Sequence, residues 1–539
     1  MVVSLLPAGA SFAEERTAPL RTEFTELTVE IDPAQGRLRG DARLRLARLD
    51  PSVEKIVLEL DPELAVLSVT DGTERPLKFR RTGGILTVDP GKRAWDRESY
   101  AAHIRYQGSF STRVPELNFY EARIGPDFAH AVHTSRWYPR LPGPARRSRG
   151  KISYRVPAEW NVASAGRLAA EKNTPWGKQF DFEIASPVAF GFAAAPFCAL
   201  RGTIEGLEVG VFLLGGGFQK AEFYLENCGR LVRFLIDFYG FFPYDGFSVV
   251  ECPQKALGNA GGGGFEGITL FSPDMMPDRF FNPHAFGHEL SHLFWGGCVG
   301  GAEGPVIDEG LAQISTALYI EHSFGEKVFR DILKNGAPEL GLAHSARSYF
   351  QSLRSPAASD KTLLGLLLRG EDLELGIPSK EKRDTLHMLA NSKGCFVFAM
   401  LRDLVGPESF RAGLRAALAR FAWKTMTLAD LRRELENASG RDLGGFFDQW
   451  FFRTGAPEFV VSFSAQAKGA EWEVKVRIRQ LREVYRVAAE VGFFKDGVRV
   501  MKPVEIVTGE TEMGFVLPFK PDAVRFDPDY RILRWTNEF

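Results

Sequence analysis

Two histidines four residues apart, with a glutamate beside the first, constrain this chain more than anything else in it. The run is Phe286-Gly287-His288-Glu289-Leu290-Ser291-His292-Leu293-Phe294-Trp295. On a helix, a spacing of four puts both imidazoles on one face, one turn apart, where a single metal ion can meet both. Glu289 lies next to them and can reach a water on that ion without binding the ion itself. The pattern predicts a helix over residues 283–296. Pro283 suits its first turn, and Gly296-Gly297 suit its end. His284 lies too near the helix start and reads as a supporting or surface residue rather than a ligand. The competing reading is a helix with two part-buried histidines, since a run of this kind also arises by chance.

A second element narrows the choice. A hydrophobic helix is predicted from Val306 and carries Ile307-Asp308-Glu309-Gly310-Leu311-Ala312. A carboxylate from Glu309 would complete a set of two nitrogens and one oxygen, with a fourth position open to water. The alternative is an acid favoured in a first turn by the helix dipole.

A chain of 539 residues is too long for one core, so about three domains are expected. Residues 1–19 read as a signal remnant or flexible N-terminus, with small residues around Ser11-Phe12-Ala13 and no basic stretch before them. A periplasmic or secreted protein is expected on that basis, a cytoplasmic one being the alternative. Residues 20–200 read as β-structure: LTVEID (27–32), ARLRLARL (42–49) and KIVLEL (55–60) alternate with period two. Such a half-buried pattern predicts an antiparallel saddle or sandwich. Residues 201–452 are mixed but mainly helical, with apolar residues at helical spacing over 220–240 and a short buried strand at 248–253. Thr427 and Asp430 match a helix N-cap pair. RTGAPEF (453–459) reads as a linker opening a small C-terminal β-domain, 453–539, in which EWEVKVRIRQ alternates strictly. The expected fold class is thus α+β and multidomain.

The formal net charge of -1 gives no ground for a nucleic-acid or anionic-membrane partner. No apolar run is long enough to span a bilayer, so no integral membrane segment is expected. The five cysteines contain no CxxC pair, which argues against a cysteine zinc site. Oligomeric state is not encoded in any feature.

On these residues the chain resembles the M1 family of zinc aminopeptidases. There the third ligand lies in an Asn-Glu-Gly-Phe-Ala-type motif, matched here by Asp308-Glu309-Gly310-Leu311-Ala312. Sixteen residues separate His292 from Glu309, two fewer than is usual in the family; a shorter loop is tolerable. The resemblance implies a thermolysin-like catalytic domain, one zinc ion, peptide substrates and a C-terminal β-sandwich. It also implies that Gly263, Gly264, Phe265 and Glu266 bind substrate. They match a Gly-x-Met-Glu-Asn strand whose glutamate takes the free α-amine, although Phe265 and Gly267 replace the methionine and asparagine. The competing reading of the glycine run is a flexible turn with one exposed acid.

One match is missing. The family places an oxyanion-stabilising tyrosine two residues before a Lys-Gly pair, and before Lys393-Gly394 that position is Asn391. Losing one oxyanion donor costs about 10²–10³ in rate. Asn391 or His387, one helical turn earlier, is the expected catalytic substitute. His130 and His133 are candidates to line the cleft. The family's large C-terminal helical domain has no counterpart here, and a shortened form with a more open cleft is expected. The implied activity is release of N-terminal residues. Endopeptidase or other amide cleavage is the first alternative, and a degenerate zinc-bound protein that only binds peptides is the second.

Overall fold

The computed structural model describes residues 18–91, 99–114, 119–257, 261–337, 344–354 and 372–537. The stretch read as a signal remnant therefore lies, but for its last two residues, outside the described residues. The chain divides into two compact units. One runs to Ala302 and includes Leu418–Met426; the other comprises Glu303–Ala417 and Thr427–Phe539.

The first unit opens with a seven-stranded sheet whose central strand is Leu20–Asp32. The alternation seen in the sequence becomes a burial pattern: Leu27, Val29 and Ile31 face the core, and Thr28, Glu30 and Asp32 are half-exposed. Most pairings are antiparallel, as expected. The exception is Ser148–Val156, which lies parallel to Leu20–Asp32. Parallel neighbours need a long connection, and the chain between Gly108 and Ser148 supplies it, contributing three strands to a second sheet of five on the way.

A third sheet, also five-stranded, carries the glycine strand. Its order is Cys198–Ile204, Leu207–Leu213, Gly246–Glu251, Ile268–Phe271 and Gly262–Phe265. The middle strand is buried along its whole length and parallel to both neighbours, with Phe247, Val249 and Val250 in the core and Ser248 and Glu251 buried beside them. The glycine strand Gly262–Phe265 ends the sheet as an edge, antiparallel to Ile268–Phe271. The helix Gly217–Tyr239 packs on this sheet between two glycines at positive φ, Gly216 and Gly240.

The predicted histidine helix spans Pro283–Ser291, shorter than 283–296. Asn282 caps it, accepting from the N–H groups of His284 and Ala285 at 3.0 Å each. After Ser291 the turn tightens: Leu293 N–H donates to Leu290 and Phe294 N–H to Ser291, and Gly296 takes φ 93°. Phe286 anchors the helix, its ring stacked on Phe271 at 4.0 Å and on Tyr224 at 5.4 Å. Such pairs contribute about 0.5–1.5 kcal/mol each beyond area burial.

The second unit carries Glu309, His387 and Asn391. The helix expected from Val306 begins as a π-helical turn, Val306–Gly310, and continues as α-helix over Leu311–Phe324. A second π turn, Ala390–Gly394, joins the helices Arg383–Leu389 and Cys395–Val405 and packs against the first. Thr427 and Asp430 form a complete capping box on Leu428–Ser439. The unit closes with two three-stranded sheets. Rings meet between them, Phe493 with Phe515 at 5.0 Å and Phe459 with Phe526 at 4.6 Å. The architecture is a β-rich N-terminal part, a mainly helical middle and a small C-terminal β-sandwich.

Candidate metal centre

The two imidazoles point their Nε2 atoms at each other, 3.1 Å apart, with the rings nearly perpendicular at 83°. His292 Nδ1 lies 3.1 Å from the carbonyl oxygen of Trp295. That bond places the proton on Nδ1 and leaves a lone pair on Nε2, the state a metal ligand needs. The tight turn after Ser291 brings the Trp295 carbonyl back to the ring. The carbonyl is held in turn by the wider packing, where Trp295 Nε1 donates to the Tyr239 hydroxyl at 2.8 Å. His284 is buried, its ring stacked 6.1 Å from that of His288.

Glu289 is fully buried. Its Oε2 accepts from the backbone N–H of Gly264 at 2.6 Å, so the glycine strand orients the carboxylate. The strand must come close to do this. A Cβ on Gly264 would lie 2.4 Å from the Glu289 carbonyl oxygen and 3.1 Å from His292 Cβ.

Glu266 is also buried, and both its oxygens accept. Arg147 Nε donates to Oε1 at 2.8 Å, and the N–H of Ala189 donates to Oε2 at 2.7 Å. Burial raises the Glu266 carboxyl, but Arg147, then His133, Arg146 and the Ala189 N–H outweigh it, and the pKa is lowered. Arg147 Nη2 also donates to the Gly297 carbonyl at 2.9 Å, linking the glutamate to the turn after the histidine helix. Sequence reasoning missed Arg147. The only signal was the basic run Ala145-Arg146-Arg147-Ser148-Arg149, which resembles an ordinary solvated surface.

His133 faces the glycine strand, its ring 5.5 Å from that of Phe265. His130 does not; its Nε2 is bonded to the Tyr120 carbonyl at 2.8 Å. In the second unit, Glu309 is buried on its π turn. Asn391 Nδ2 donates to Glu309 Oε2 at 3.0 Å, and His387 Nδ1 lies 3.3 Å from Glu309 Oε1. One ligand atom from each of His288, His292 and Glu309 lies within 4.8 Å of the other two. Two imidazole nitrogens and one carboxyl group, all buried, are a donor set that suits a divalent ion of zinc type.

An HExxH helix with its two histidines on one face is the arrangement found in zinc-dependent peptidases. Residues 284–450 match the peptidase family M1 domain. The chain is 20% identical over 443 residues to the protein named Probable aminopeptidase 2 of Sulfurisphaera tokodaii, covering 78% of this chain and 53% of that protein. It is 20% identical over 444 residues to a leucyl aminopeptidase of Saccharolobus solfataricus, again 78% of this chain and 53% of the relative. The chain thus spans about half the length of these curated relatives. A crystal structure of aminopeptidase A from Legionella pneumophila, in complex with aspartic acid, superposes with a TM-score of 0.71 at 15% identity, over 98% of this chain and 61% of that one.

Proposed function

We propose that this chain is a zinc-dependent aminopeptidase, with His288, His292 and Glu309 as the metal ligands and Glu289 as the general base. The observation that carries the reading is the convergence of three buried ligand atoms within 4.8 Å. An ion bound there would lower the pKa of a water and polarise the scissile carbonyl. Glu289 takes the proton of the attacking water and passes it to the departing amine. Gly264 keeps the base aimed through its N–H. Gly262–Phe265 is the last strand of its sheet, a position that suits an extended peptide lying alongside as a further strand.

Glu266 is the anchor for the substrate's free α-amine. A carboxylate offers about four lone-pair positions, and Arg147 and Ala189 use two of them. That shared occupancy supports a second reading, in which amine recognition is weak and internal bonds are cut as well.

The test is a mixed peptide library read by mass spectrometry, with and without N-acetylation. Loss of single N-terminal residues from free peptides is expected, abolished by chelation and restored by zinc. Cleavage indifferent to acetylation would establish the second reading. No cleavage of any peptide by the zinc-loaded protein would refute both.

A further inference from the structure

Asn391 occupies the position at which the resemblance leads one to seek an oxyanion donor, but its amide is directed elsewhere. Nδ2 donates to Glu309 Oε2 at 3.0 Å and to the His387 carbonyl at 3.1 Å. An amide nitrogen carries two protons, so both are committed within the second unit. The flipped amide would turn Oδ1, an acceptor, onto the carboxylate and the carbonyl, so the network fixes the orientation. Asn391 and Glu309 are each only 2% exposed, too buried for water to replace the amide freely.

The backbone is built for this contact. Both residues lie on π turns, Val306–Gly310 and Ala390–Gly394, which pack together. A π turn inserts a residue into the helical ladder and re-aims the side chains around it. Gly310 makes room beside the contact: a Cβ there would meet the ring of Phe398, on the helix that follows the second turn, at 2.8 Å and lie 3.4 Å from the Ala390 carbonyl oxygen. His387 supports the other side of the carboxylate, with Nδ1 3.3 Å from Oε1. Each oxygen of Glu309 therefore has its own partner from one short segment, residues 387–391.

We infer that Asn391 is a positioning residue for Glu309 and not a donor to the developing oxyanion. The inference rests on the zinc reading above. A ligating carboxylate must hold one lone pair toward the ion, and the Asn391 amide removes the torsional freedom that would otherwise be lost on binding. The two roles predict different losses. Removing an outer partner of a metal ligand weakens metal binding by about 10–100-fold. Removing an oxyanion donor leaves metal binding alone and lowers kcat by about 10²–10³.

The experiment measures zinc dissociation constants by competition with a chromophoric chelator, together with the visible spectrum of the cobalt-substituted protein and kcat and KM at saturating zinc. Asn391→Ala is expected to weaken zinc binding by about 10–100-fold and to alter the cobalt bands. Asn391→Leu removes the donor while nearly preserving side-chain volume; it is expected to do the same and decides the matter if the alanine variant does not fold. Wild-type zinc affinity and cobalt spectrum in a folded variant, with kcat reduced, would overturn the inference. Failure of the zinc reading looks different: Glu309→Gln would then bind zinc as tightly as the wild type.

Discussion

The backbone N–H of Gly264 donates to Glu289 Oε2 at 2.6 Å, which ties the edge strand to the residue between the two histidines. The contact depends on the absence of a side chain. In Gly264→Ala the new Cβ would sit 2.4 Å from the Glu289 carbonyl oxygen. Backbone cannot rotate away as a side chain can, so strand or helix must shift. Overpacking of this kind costs about 1–3 kcal/mol. The expected result is a lower Tm and a turnover reduced by at least about tenfold with zinc still bound. Unchanged Tm and turnover would show that the strand does not aim the base.

Glu289→Gln tests the base itself. Glutamine has the same shape and keeps an oxygen to accept from Gly264, so fold and zinc content should match the wild type. It cannot take a proton from water. Turnover should fall by about 10²–10⁴, checked by steady-state kinetics beside metal analysis of the same sample. A variant with full zinc and full activity would remove Glu289 from the mechanism.

The placing of His288 and His292 on one helix face was legible, because a spacing of four survives in a linear sequence. So were the alternating strands, where Leu27, Val29 and Ile31 turned inward as their period required. The π turns at Val306–Gly310 and Ala390–Gly394 were not legible. They differ from α-helix by one inserted residue, and no residue type marks that insertion. Arg147 was missed for another reason. Its partner Glu266 lies 119 positions away, and only the folded sheets bring the two together. The parallel strand Ser148–Val156 was hidden likewise, because alternation reports which face is buried and not which neighbour is paired.

His133 gives a pH dependence with a definite sign. Burial pushes its pKa down from 6.5 to about 3, with Glu266 opposing and Arg146, Arg147 and Arg140 adding to the fall. Burial likewise takes His130 down to about 4. In the unfolded chain both protonate near 6.5. Between that pH and the folded values the unfolded state binds more protons, so stability is complete above about pH 6.5 and declines as pH falls. Each histidine contributes a slope of up to about 1.4 kcal/mol per pH unit. His133→Gln should flatten the acid limb of Tm against pH between 6 and 4. An acid limb parallel to that of the wild type would mean that His133 titrates normally when folded.

Arg147 and Glu266 form an ion pair at 2.8 Å with side chains 5% and 2% exposed, so neither charge has much water to fall back on. Losing one partner of such a pair costs about 3–5 kcal/mol, because the other is left buried and uncompensated. Arg147→Met should therefore destabilise strongly and also release the Gly297 carbonyl. With its largest lowering influence gone, the Glu266 carboxyl should rise toward protonation. Glu266→Gln removes the charge from the other side, leaving Arg147 uncompensated. The double variant should then be less destabilised than the sum of the two single changes, with a coupling of about 0.5–3 kcal/mol, measured by denaturant unfolding of all four proteins. Kinetics separates this structural part from the amine-anchoring role. At a temperature where every variant is folded, Glu266→Gln should raise KM for peptides with a free N-terminus and leave N-acetylated peptides unaffected. An equal effect on both would confine Glu266 to the ion pair.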